Sequence, residues 1–72
     1  MNQEEVALLR KEIELLMRER AKLLKVVGAA ALFVADMKPE LLPVAAVNTA
    51  DKLSESLNAL SEESLKDALE AV

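Results

Sequence analysis

The apolar positions in the first half of the chain alternate between steps of three and four residues: Val6, Leu9, Ile13, Leu16, Arg20, Leu23, Val27, Ala30, Val34 and Met37. Arg20 alone breaks their apolar character. A mean spacing of about 3.5 residues keeps one seam of a helix aligned with a partner helix, as in a coiled coil. In heptad terms Val6, Ile13, Arg20, Val27 and Val34 occupy a, and Leu9, Leu16, Leu23, Ala30 and Met37 occupy d. β-branched residues at a with leucine at d favour two parallel strands, and one polar a residue sets register at some cost in stability. The pattern predicts an all-α protein whose long first helix forms a parallel coiled-coil homodimer.

That helix is predicted over residues 1–38. Asn2 is a good N-cap, and Glu4 and Glu5 fall in the first turn, where the helix dipole favours acids. Pro39 stops it, because proline restricts Lys38 to extended backbone and cannot extend the hydrogen-bond ladder. Its two halves differ. Val6 to Lys25 is amphipathic and highly charged, whereas Val26 to Ala35 reads VVGAAALFVA and is apolar on every side. A helix apolar all round has to be covered all round. Gly28, Ala29, Ala30 and Ala31 also allow neighbouring helices to approach closely.

After a turn containing Pro39 and Pro43, a second helix is expected over 43–60, with Pro43 at its first position. Ala46, Ala50, Leu53, Leu57 and Leu60 form its inward stripe. Ser61 then caps a third helix over 61–72, supported by Glu62 and Glu63, with Leu65, Ala68, Leu69 and Val72 on its buried face. No stretch is long enough to act as an interdomain linker, so residues 1–72 read as a single helical domain.

Lengths decide where the cover can reach. A second helix of about 18 residues spans roughly 27 Å. Starting beside Met37, it runs back only to about Arg20. Val6, Leu9, Ile13 and Leu16 are left without cover from their own chain, and a second copy is the simplest way to bury them. Parallel pairing suits the flanking charges. It brings Glu5 at g towards the partner's Arg10 at e and sets Glu19 beside the partner's Arg20, whereas antiparallel pairing faces Glu19 with its own copy. On this reading the stem of Arg20 packs in the seam and its head reaches the partner's Glu19.

Composition narrows the function. The chain has 72 residues, with no cysteine and no histidine, so disulfides and the commonest metal ligands are absent. Apolar residues make up 53%, yet Phe33 is the one aromatic, a balance that suits close-packed helices better than strands. The net charge is −4 and uneven: residues 1–25 carry six basic against five acidic side chains, residues 26–72 three against eight. An acidic second half argues against nucleic acid or an anionic membrane as the partner. The uncharged run from Val26 to Ala35 is ten residues, short of the roughly 20 that a bilayer requires, and no secretory signal pattern opens the chain. The expectation is a cytoplasmic protein.

Little chemistry is available to an enzyme. Glu4–Glu5 and Glu62–Glu63 are explained as helix-start acids, and neighbours in sequence point to different sides of a helix. No glycine-rich loop can cradle a phosphate. A basic leucine zipper needs a continuous basic helix before its heptads, and Asn2, Gln3, Glu4 and Glu5 do not supply one. The stripe Lys11, Arg18, Lys25 at f reads as a solvated face diluted by Glu4 and Glu14. A helix-turn-helix about Leu60–Ser61 would present Glu62, Glu63, Asp67 and Glu70 to phosphates and is rejected.

Leu8 and Leu15 are the candidate partner-binding residues. They sit seven apart at c, on the outside of the charged half, so they either dock another protein or lie beneath a folded-over third helix. The resulting reading is a small non-catalytic homodimeric regulator, an adaptor or inhibitor that masks a partner protein's surface, with no cofactor. Compact regulators of bacterial or phage origin share such an architecture. The alternatives are a structural assembly subunit and a nucleic-acid accessory protein using the basic stripe. The dimer interface is expected at Val6, Leu9, Ile13, Leu16, Arg20, Leu23, Val27, Ala30 and Val34.

Overall fold

A computed structural model describes residues 1–72, and it is all-helical. Helix α1 spans Gln3–Asp36, α2 spans Val44–Asn58 and α3 spans Glu62–Ala71, with a 3₁₀ turn at Pro39–Leu41 between the first two. Local chemistry sets these limits. The Asn2 side-chain oxygen accepts the Glu5 backbone N–H at 2.8 Å, closing one of the open donors at the start of α1. At the other end Met37 turns extended two residues before Pro39. Pro43 caps α2 from just outside rather than opening it from within. Ser61 caps α3, its hydroxyl oxygen accepting the Ser64 N–H at 3.1 Å.

The molecule is a rod with a thickened end. Its extents are 59 × 23 × 16 Å, and its radius of gyration is 17.3 Å, where a compact domain of this length measures about 11 Å. The 34 residues of α1 account for the long axis, at roughly 1.5 Å each. Both short helices lie against its second half, and α3 makes the larger share of the contact.

Contact with α3 centres on Gly28, one of three buried residues, with Leu57 and Ala68. A methyl group built on Gly28 runs into the carbonyl oxygen of Ala68 and comes within 2.9 Å of Val72 Cγ1. The absent side chain is therefore what lets the α3 backbone lie against α1. This close approach turns Ser64, Leu65, Ala68 and Ala71 inward and leaves Leu69 on the solvent side, since adjacent helical residues sit about 100° apart. Leu69 and Val72, expected in the buried face, are thus about half exposed, and Leu60, which lies beyond the end of α2, keeps 38% of its surface exposed.

Two hydrophobic side chains, Leu57 and Ala68, form the whole of the buried core. The accessible surface is 6146 Å², whereas a compact monomer of 7.8 kDa presents about 4,400 Å². The excess follows from the bare half of α1.

Candidate functional site: the apolar seam of the long helix

Towards the start of α1 the a/d ladder is uncovered. Leu9, Ile13 and Leu16 are exposed, Leu16 to 67%, and Val6 is partly so. Beyond Arg20 the ladder changes character. Val27, Ala30, Val34 and Met37 are half-buried in the part of α1 that carries α2 and α3, as are the e residues Leu24 and Ala31. Leu23, where the two regions meet, is exposed. The nine predicted interface residues therefore fall into an open group and a group shared with the chain's own helices.

Arg20 stands at the boundary between the groups. Its Nη2 donates to Oδ2 of Asp67 on α3 at 3.4 Å, so within the chain the guanidinium turns towards α3. Glu19 is itself paired with Lys22, at 3.4 Å. In the sequence Asp67 stands out only as one of the acids that would repel nucleic acid, and its link to Arg20 depends on a docking that spacing along the chain does not reveal. The pair is substantially solvated and is worth under about 1 kcal/mol. Burying a leucine at an a position gains roughly 1.5–3 kcal/mol. Arg20→Leu is accordingly expected to raise the melting temperature despite losing the Asp67 contact, and a thermal unfolding curve checks it. A lower melting temperature would show that the Arg20–Asp67 link holds α3 in place.

Leu8 and Leu15 are exposed to 61% and 53%, two turns apart on one line of α1. Helix α3 docks at Gly28 and does not fold over them within the chain. Leu8 and Leu9 border a shallow groove with Met1, Glu5 and Glu12. Lys11, Arg18 and Lys25 are likewise exposed.

No protein-family model, curated protein or solved structure matches the chain. Its function has to be read from its own surface.

The hydroxyl groups are engaged locally. Those of Thr49, Ser54 and Ser56 donate to the backbone carbonyls of Ala46, Ala50 and Lys52 at 2.9–3.0 Å, and Ser61 donates to Ser64 Oγ. None of these bonds links a hydroxyl to a base. No group of three or more His, Cys, Asp or Glu side chains converges on a cation site, and no helix is long and apolar enough to cross a membrane.

Sequence reasoning did not single out Val26, exposed to 65%, or Phe33, exposed to 59%, on the second half of α1. Both continue the g column after Glu5, Glu12 and Glu19. The switch from acid to apolar along that column was the available signal. It was hidden because every column of residues 26–35 is apolar.

Proposed function

We propose that this protein is a non-catalytic homodimer, joined through α1, that acts by docking onto another protein. The observation that carries the reading is the open seam: Leu9, Ile13, Leu16 and Leu23 project from the part of α1 that its own short helices leave uncovered. Exposing large apolar side chains forgoes roughly 1.5–3 kcal/mol apiece, a cost of the same order as the total stability of a small domain. The surface excess points the same way. It amounts to about 1,800 Å², within the range that each partner buries in an obligate dimer. Parallel pairing also keeps Glu19 away from its own copy, which it would face in an antiparallel pair centred near Arg20.

Leu8 and Leu15 lie off the seam and are free to carry the second contact. Doubled by symmetry, they form apolar strips along the rod, suited to an apolar groove or helix of another protein. An adaptor or inhibitor that masks a partner's surface is the activity this supports, in the cytoplasm, without a cofactor.

The test uses the wild-type chain and a Leu8→Glu/Leu15→Glu variant. Light scattering should give twice the 7.8 kDa chain mass for both. Helicity and melting temperature should stay close together, because glutamate is a good helix former and neither site is needed for pairing. Capture of a protein partner should fall sharply in the variant, since a charge pressed into an apolar groove has no compensation. A large loss of stability would instead place the leucines in an interface between copies. A monomeric wild-type chain with full helicity would overturn the dimer.

A further inference from the structure

In a straight parallel coiled coil the a/d ladder would continue through Val27 and Val34. The chain's own helices compete for that side. The e residues Leu24 and Ala31 are half-buried, Gly28 is sealed by Ala68, and Val27 and Val34 are partly covered, as are Ala30 and Met37 on the side nearer the g column. On the opposite flank Val26 and Phe33 are exposed, with α2 across an open groove from Phe33. There the g column changes from Glu5, Glu12 and Glu19 to Val26 and Phe33, in the same stretch where α3 begins to occupy the e side.

We infer that the dimer seam shifts by one column at Leu23, so that Val26, Ala30 and Phe33 pair with their counterparts in a second copy while Val27 and Val34 serve the chain's own fold. This rests on the homodimer proposed above and specifies its interface. The shifted ladder reads Leu9, Ile13, Leu16, Arg20, Leu23, Val26, Ala30, Phe33, Met37. Its steps still alternate between four and three, except for two consecutive threes at Leu23. A single three-residue insertion of that kind locally overwinds a coiled coil without ending it.

A second copy is the occupant for three reasons. The shifted strip is continuous with the open seam, so the helix that covers Leu9 to Leu23 meets Val26 and Phe33 next. Parallel, in-register pairing puts Val26 on Val26 and Phe33 on Phe33, whereas an antiparallel copy would lay the acidic g column of one chain against the apolar end of the other. Finally, Phe33 borders an open groove of about 250 Å³ between α1 and α2, lined mainly by Met37, Ala46, Ala50 and Leu53. An apolar space of about 150 Å³ already admits a benzene ring, so the groove has room for the partner's Phe33. The single aromatic side chain of the sequence then acts as a knob at the interface rather than standing in solvent.

Cysteine crosslinking tests this on the full chain, which has no thiol of its own. A disulfide requires Cα atoms within about 7 Å, so it reports which column faces its copy. Leu16→Cys serves as the reference, because Leu16 lies in the seam under either arrangement. Val26→Cys is compared with Val27→Cys, and Phe33→Cys with Val34→Cys, each checked for helicity. The shifted seam predicts that on mild oxidation Leu16→Cys, Val26→Cys and Phe33→Cys convert mostly to covalent dimer, at least fivefold more than Val27→Cys and Val34→Cys. If Leu16→Cys, Val27→Cys and Val34→Cys crosslink instead, the seam is straight and the shift is overturned while the dimer stands. If Leu16→Cys fails to crosslink in a species of doubled mass, the pairing is not parallel and the shift falls with it. If the mass is that of one chain, the homodimer reading fails as well.

Discussion

Leu16→Glu combined with Leu23→Glu is expected to remove the dimer and most of the helical signal together. Each substitution places a charge in the seam and, by symmetry, does so twice per dimer. Four leucines at roughly 1.5–3 kcal/mol give about 6–12 kcal/mol, comparable with the entire stability of a small protein. The separated chain has little to fall back on, since its buried hydrophobic residues are Leu57 and Ala68. Light scattering and circular dichroism on the same sample provide the check. A monomeric variant that keeps its helicity and a cooperative melt would show that the three-helix unit stands alone, and the open seam would then need an explanation other than self-association.

The second large effect belongs to Gly28. Gly28→Leu is expected to detach α3, because the added side chain meets the Ala68 carbonyl, a backbone atom that cannot rotate aside. The milder Gly28→Ala balances two terms. Alanine improves helix propensity by about 1 kcal/mol, while forcing apart a close-packed contact costs roughly 1–3 kcal/mol. The contact sets the sign here, so Gly28→Ala should lower the melting temperature by several degrees and Gly28→Leu by more. Dimer mass should survive both substitutions, because Leu9, Ile13, Leu16 and Leu23 are exposed and Arg20 meets α3 only through its solvated ion pair with Asp67. That survival separates the Gly28 variants from the Leu16/Leu23 variant. A higher melting temperature for Gly28→Ala would mean that α3 does not lie so close to α1.

The two effects also locate what was readable along the chain. Asn2, Ser61, Pro39 and Pro43 mark helix ends through interactions that span three or four residues, so the ends could be read to within about two positions. The bare stretch from Leu9 to Leu16 was expected because a second helix of about 18 residues is too short to run back over it. The docking of α3 at Gly28 removed the alternative of cover by the third helix of the same chain. In VVGAAALFVA the same reasoning fails. With an apolar residue in every column, periodicity carries no preference for one neighbour over another. Gly28 was legible as a place of close approach, but neither the helix that approaches it nor the Arg20–Asp67 link was.

The sequence by itself thus determined three helices, their caps and breaks, and a seam along the first that its own chain is too short to cover, because capping, proline stops and rise per residue are local properties. Tertiary structure alone decided that α3 is the main cover of α1, that its backbone lies on Gly28, that Arg20 turns to Asp67, and that Val26 and Phe33 stay outside. Those outcomes depend on which of several equally apolar faces two short helices occupy. Shape makes that choice, through the notch at Gly28 and the small side chain of Ala68, and hydrophobicity does not.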